Sequence, residues 1–166
     1  AWDVYGKTKS LGEVYSPNVF HLRCSIIGPE TQAHHSLMDW FLGQPPNGSV
    51  NGFLNHLWNG VTTLQFARLF EGIALSQPEL AHVQHVIPAD RIAKADLLAS
   101  LAGNFARPDI AINRMNASVA VDRTLVTAHP QANQDLWKRA GYDQPPTTRE
   151  MVAELAAFCR KGEART

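Results

Sequence analysis

Two kinds of apolar pattern alternate along this chain, and that alternation confines it to a mixed α/β fold. Residues 19–27 (VFHLRCSII) are apolar and β-branched and end at Gly28-Pro29, the pattern of a buried strand closed by a turn. Residues 33–42 (AHHSLMDWFL) instead place Leu37, Trp40 and Phe41 on one helical face, and Gly43 with Pro45-Pro46 stops the helix. Before them, residues 3–15 predict a helix closed by Pro17. The polar, glycine-rich stretch 47–60 predicts short strands and loops, after which Thr62 or Thr63 caps a helix running to about Leu75. Residues 83–87 and 110–113 predict strands, and residues 92–102 and 133–140 predict helices, the second stopped by Gly141. Thr147 or Thr148 opens the last helix, with Glu150 in its first turn and Leu155 and Phe158 on its apolar side. Strands and helices interleaved in this way indicate α/β architecture.

Charge and composition exclude several function classes. Fifteen basic residues balance fifteen acidic ones, and Arg107, Arg114 and Arg123 are scattered rather than striped, so nucleic acid is not an expected partner. No apolar run approaches the roughly 20 residues of a membrane span, and the opening AWDVYGKTKS lacks a signal-peptide pattern. Cys24 and Cys159 lie far apart without metal-like spacing, which fits a reducing, cytoplasmic setting. His34-His35 lacks the i, i+4 geometry of a metal pair and reads as a surface pair, while His82 and His85 point to opposite faces of a strand. No metal site is expected. Nor do the glycines form G-x-G-x-x-G or G-x-x-x-x-G-K-[ST], so the chain shows no phosphate cradle of its own.

The sharpest chemical pattern is Tyr5-Gly6-Lys7-Thr8-Lys9. On a helix, positions i and i+4 share a face. A lysine ammonium beside a phenol favours the phenolate and moves its pKa, ordinarily about 10, toward the working range of an acid/base. Taken alone, the pair fits better as a tyrosine packed on the stem of a surface lysine.

Its surroundings alter that judgement. Tyr5 to Glu13 (YGKTKSLGE) resembles the Y-G-x-[ST]-K-x-x-G-E block of the extended short-chain dehydrogenases/reductases, and His21 to Pro29 (HLRCSIIGP) resembles that family's strand and turn ending in R-x-S/N-x-x-G-P. Further on, His56 to Thr63 (HLWNGVTT), Val121 to Leu125 and the segment Leu136 to Met151 resemble parts of the sugar-nucleotide reductases of the dTDP-4-dehydrorhamnose reductase type. The resemblance implies that Tyr5 is the catalytic acid/base and that Lys9 lowers its pKa and binds the nicotinamide ribose, with the Ser25–Ile27 backbone (Ser25, Ile26, Ile27) bordering the nicotinamide. Substrate contacts are expected from His56, Trp58 and Asn59, whose side chains suit a sugar, and from Arg123, whose planar fork suits a diphosphate. Trp58 is equally well a core aromatic, Arg123 equally well half of an ion pair, and Arg23 is left between a structural and a functional role.

The implied organisation is the C-terminal part of a Rossmann-type enzyme. Residues 1–30 would be the last helix and strand of the dinucleotide-binding core, and residues 31–166 a small mixed α/β substrate-binding lobe. The N-terminal dinucleotide-binding half, which carries the glycine turn, is absent from this sequence. NAD or NADP is therefore expected as cofactor of a parent enzyme rather than as a ligand of this chain alone. A sugar nucleotide is the expected partner, and an unpaired strand edge with an uncovered helix predicts a homo-oligomer or domain-swapped dimer. The other reading is a non-catalytic sugar-nucleotide-binding or oligomerisation module.

Overall fold

The computed structural model describes residues 4–31 and 36–163. Its elements are α1 (Val4–Leu11), β1 (His21–Arg23), β2 (Ile26–Ile27), α2 (Leu37–Leu42), β3 (Ser49–Phe53), β4 (His56–Trp58), β5 (Val61–Thr62), α3 (Thr63–Ser76), β6 (Val83–His85), β7 (Ile92–Ala93), α4 (Lys94–Asn104), β8 (Ala111–Met115), β9 (Val121–Arg123), α5 (Pro130–Arg139) and α6 (Thr148–Glu163). The mixed α/β character is as expected. Strands pair in four small groups, β1 with β6, β2 with β5, β3 with β8, and β7-β4-β9. All of these pairings are parallel except β4 with β7.

Several boundaries differ from the sequence expectation for local reasons. The first helix ends at Leu11, not near 15, because the Gly12 N–H closes it on the Thr8 and Lys9 carbonyls. The strand expected over 19–27 divides in two. β1 runs beside β6, whereas β2 turns to β5, and the chain changes partner at Cys24-Ser25, where the Ser25 carbonyl accepts the Val61 N–H at 2.7 Å. α2 begins at Leu37, where the Ser36 hydroxyl accepts the Asp39 N–H at 3.1 Å; the rest of the helix expected from 33, with His34 and His35, lies outside the described residues. Within it Met38 and Phe41 are buried, while Trp40 faces outward. Pro130 opens α5 earlier than position 133, using a fixed φ where no N–H is needed.

Other signals held. Thr62 caps α3. Gly141 adopts φ +87° just past α5, where its N–H and that of Tyr142 bond the Lys138 and Trp137 carbonyls. Thr147 and Glu150 exchange bonds in a capping box at the start of α6, 2.7 Å from the Thr147 N–H to the Glu150 carboxylate and 3.3 Å in return. Phe158 does not join the apolar side of α6; it is 59% exposed, and Met151, Val152, Leu155 and Ala156 form the buried face.

α6 lies between two apolar clusters. Val152 and Leu155 pack with Leu97, Leu98 and Leu101 of α4, Phe41 of α2 and Val50 of β3. Met151 turns the other way, toward Leu69 of α3, Leu136 and Trp137 of α5, Val61 and Val86. Fully buried Trp137 donates its indole N–H to the Ile87 carbonyl at 2.8 Å, and Asn133 bonds both the N–H and carbonyl of Ile87. These bonds anchor the chain after β6 to α5. Between α3 and α6, Tyr142, Gln65, Arg68 and Glu154 form a polar network in which the Tyr142 hydroxyl donates to Glu154 at 2.7 Å and accepts from Gln65 at 2.9 Å. The Arg68 guanidinium also pairs with the Glu154 carboxylate.

Candidate functional site

Strand β4 is the wall on which the candidate site is built. Its parallel register with β9 sets His56 against Val121 and Trp58 against Arg123, and residues two apart on a strand share a face. Its antiparallel register with β7 sets Trp58 against Ile92 and leads into Lys94, the first residue of α4. Facing this wall are β2 and the connection to α2. Together they enclose a cavity of about 560 Å³ lined by Ser25, Ile26, Ile27, Glu30, Ser36, Leu37, His56, Trp58, Lys94 and Arg123, among others. Six residues singled out in the sequence thus meet in one place.

Trp58 is half-buried, and its indole N–H donates to the Ser25 hydroxyl at 2.6 Å, joining the two walls. This arrangement requires Gly60. A Cβ there would fall well inside contact distance of the Trp58 ring and the Ser25 carbonyl. One ring nitrogen of His56 lies 3.2 Å from the Val119 carbonyl, and the ring packs against Phe53. The Glu30 carboxylate accepts the Ser36 N–H at 3.1 Å. Among the described residues Arg123 is paired with no carboxylate. The Lys94 ammonium lies over the faces of Trp40 (5.2 Å) and Phe53 (5.4 Å), and burial, then the charge of Arg123, lower its pKa.

Asn59 and Lys9, both nominated in the sequence, lie elsewhere. Asn59 was grouped with His56 and Trp58 as a substrate contact, but it is buried, and its amide is spent on Leu125, donating to the carbonyl at 2.8 Å and accepting the N–H at 2.6 Å. It ties the end of β4 to the chain after β9, behind the cavity wall. Lys9 lines a different cleft, of about 900 Å³, with Glu13, Phe20, Arg23, Cys24, Phe66 and Phe70. Tyr5 falls within α1, four residues before Lys9, but its side chain lies outside the described residues. Arg23 resolves to an ion pair, its fork donating to Glu13 at 2.7 and 2.5 Å. Its guanidinium holds the Glu13 carboxyl below the usual range. Burial pushes the Cys24 thiol up to about 11.

Lys94 and Glu30 were missed in the sequence. Lys94 had one visible signal, a cation in the opening turn of the helix expected over 92–102, where the helix dipole disfavours positive charge. Glu30 gave none, because only the turn of the chain after Gly28 brings it to the cavity.

The strand-to-helix junctions β5–α3 and β7–α4 carry Thr62-Thr63 and Ala93-Lys94 rather than a glycine turn. Neither junction therefore has the glycine turn of a dinucleotide pyrophosphate cradle. They hold no group of three or more His, Cys, Asp or Glu suited to a metal ion, and no helix among them is long and apolar enough to cross a membrane.

No family model matches the chain, and no curated protein matches it in sequence. Solved structures do match it in fold. A dTDP-4-dehydrorhamnose reductase from Clostridium acetobutylicum superposes with a TM-score of 0.67 at 14% identity, covering 94% of this chain and 55% of the reductase. MoeE5 in complex with UDP-glucose and NAD gives 0.52 at 14% identity, covering 86% of this chain and 47% of that one. A dTDP-glucose 4,6-dehydratase from Bacillus anthracis, in complex with NAD, gives 0.53 at 12% identity, covering 96% and 48%. At such identities the likeness is one of fold, a Rossmann-like α/β fold, and this chain spans about half the length of the structures it matches.

Proposed function

We propose that this chain is the C-terminal, sugar-nucleotide-binding part of an NAD(P)-dependent reductase of the dTDP-4-dehydrorhamnose reductase type, with the ligand seated between β2 and β4. The observation that carries this reading is the convergence of Ser25–Ile27, His56, Trp58 and Arg123 on one cavity, although they are far apart in sequence. Trp58 offers an aromatic face to a base or sugar, His56 and Glu30 bond hydroxyls, and Arg123 takes phosphate oxygens. A cavity of this size suits a small ligand with one charged end. Residues 1–30 form the end of the dinucleotide-binding core and residues 31–166 the substrate lobe of a cytoplasmic enzyme. Tyr5 and Lys9 are its acid/base pair, acting only when a dinucleotide-binding half supplies NAD or NADP.

Calorimetric titration with UDP-glucose, a dTDP-sugar and NADH tests the reading. Saturable sugar-nucleotide binding that Arg123→Met weakens, without tight NADH binding, is expected. Absence of any sugar-nucleotide binding would overturn it.

A second reading, an assembly module, is favoured by the surface around the Lys9 cleft. Phe20 is 47% and Phe70 61% exposed around the cleft that holds Lys9, and β1 pairs with β6 alone among the described residues. Such a face and open edge favour a homo-oligomer or domain-swapped dimer. Sedimentation equilibrium should show dimers, and a strictly monomeric chain at high concentration refutes this reading.

A further inference from the structure

We infer that Lys94 and Arg123 act as a two-cation clamp that selects ligands carrying two adjacent phosphates over ligands carrying one, with Lys94 the specificity-determining residue. The inference rests on the sugar-nucleotide reading above. Both cations line the same cavity, Arg123 on β9 at one side of β4 and Lys94 at the start of α4, directly after β7 at the other. Two like charges brought together at a partly buried site repel each other, and a fold ordinarily relieves this with a carboxylate. Here no ion pair among the described residues gives either cation a carboxylate. Asp96 pairs with Arg114 at 2.9 Å and Arg149 at 3.5 Å. Asp122 alternates with Arg123 along β9 and accepts the Thr124 N–H at 2.9 Å, while Glu30 accepts the Ser36 N–H.

What holds Lys94 in place is aromatic. Trp40 and Phe53 present their ring faces to the ammonium, fixing its position without neutralising it. The lowered Lys94 pKa has the same origin, burial together with the unrelieved charge of Arg123. A positive pair held in this way is completed by a ligand anion. One phosphate satisfies one cation, whereas a diphosphate spans both, as in a nucleoside diphosphate or its sugar ester. Trp58, paired with Arg123 across the β4–β9 ladder, then lies next to the phosphate end and offers its face to the rest of the ligand.

The test is calorimetric titration of the full chain with UDP and UMP, comparing wild type with Lys94→Met, Lys94→Gln and Lys94→Arg. Each variant is first checked for folding by circular dichroism. Wild type should bind UDP at least tenfold more tightly than UMP, the worth of one additional charge-assisted contact being about tenfold or more. Met or Gln at 94 should cut UDP affinity by about tenfold while leaving UMP within about threefold, and Arg should keep the preference. The Gln variant carries the test if Met disturbs the Trp40–Phe53 packing. A folded Met or Gln variant that keeps the wild-type preference overturns the clamp but leaves the sugar-nucleotide reading standing. A wild-type chain that binds neither UDP nor UDP-glucose overturns that reading, and the clamp with it.

Discussion

Gly60→Ala should damage the cavity wall without removing any polar group. The added methyl would press on the Trp58 indole and the Ser25 carbonyl, and the latter already accepts the Val61 N–H at 2.7 Å. The backbone at 60 lies outside the left-handed region, so the penalty is one of space. Overpacking of this kind costs about 1–3 kcal/mol. Displacing the indole also lengthens its 2.6 Å bond to the Ser25 hydroxyl, a net loss of about 1 kcal/mol. Together about 2–4 kcal/mol should be lost, a fall in Tm of roughly 5–15 °C for a chain of this size. Urea unfolding followed by circular dichroism measures it. Gly103→Ala is the control. It lies in α4, is exposed, and nothing stands within 4 Å of its would-be Cβ, so alanine should stabilise by about 0.5–1 kcal/mol. If Gly60→Ala costs less than about 0.5 kcal/mol, Trp58 is not wedged against Ser25 and the cavity wall is not built as described.

Three further predictions follow from single contacts. Asn59→Ala leaves the Leu125 N–H and carbonyl without their partners and should cost about 1–3 kcal/mol by urea unfolding, whereas a near-neutral result would show that water replaces both bonds. The Arg107 guanidinium and the Asn47 N–H hold the Asp109 carboxyl down at about 2 against an ordinary 3.8. Its stabilising contribution is therefore complete above about pH 4 and lost as pH falls through about 2; the Tm of Asp109→Asn should converge on wild type across that window, and a constant gap would contradict the pairing. With its thiol near 11 rather than 9.0, Cys24 has roughly a hundredfold less thiolate at pH 8 and should react correspondingly slowly with a disulfide reagent in Cys159→Ser protein; labelling as fast as that of a model thiol would refute its burial.

What the sequence determined by itself is local. Gly141 stops α5 because only glycine takes φ +87° without strain, and Thr147 with Glu150 starts α6 because the two side chains satisfy end groups within one turn. The α/β alternation belongs to the same kind, since side-chain period is a property of neighbouring residues. The chemistry of His56, Trp58 and Arg123 was legible as residue types, but their meeting was not. It depends on β4 lying parallel to β9, a strand the sequence did not announce, and on an edge shared with β7. Tertiary structure also removed Asn59 from the wall by giving its amide to Leu125, split the strand after Arg23 between two partners, and brought Glu30 and Lys94 to the cavity. Which carboxylates neutralise which cations was decided there as well. Asp96 answers to Arg114 and Glu13 to Arg23, while Lys94 is held between aromatic rings, because electrostatic partnership follows distance in space and not position along the chain.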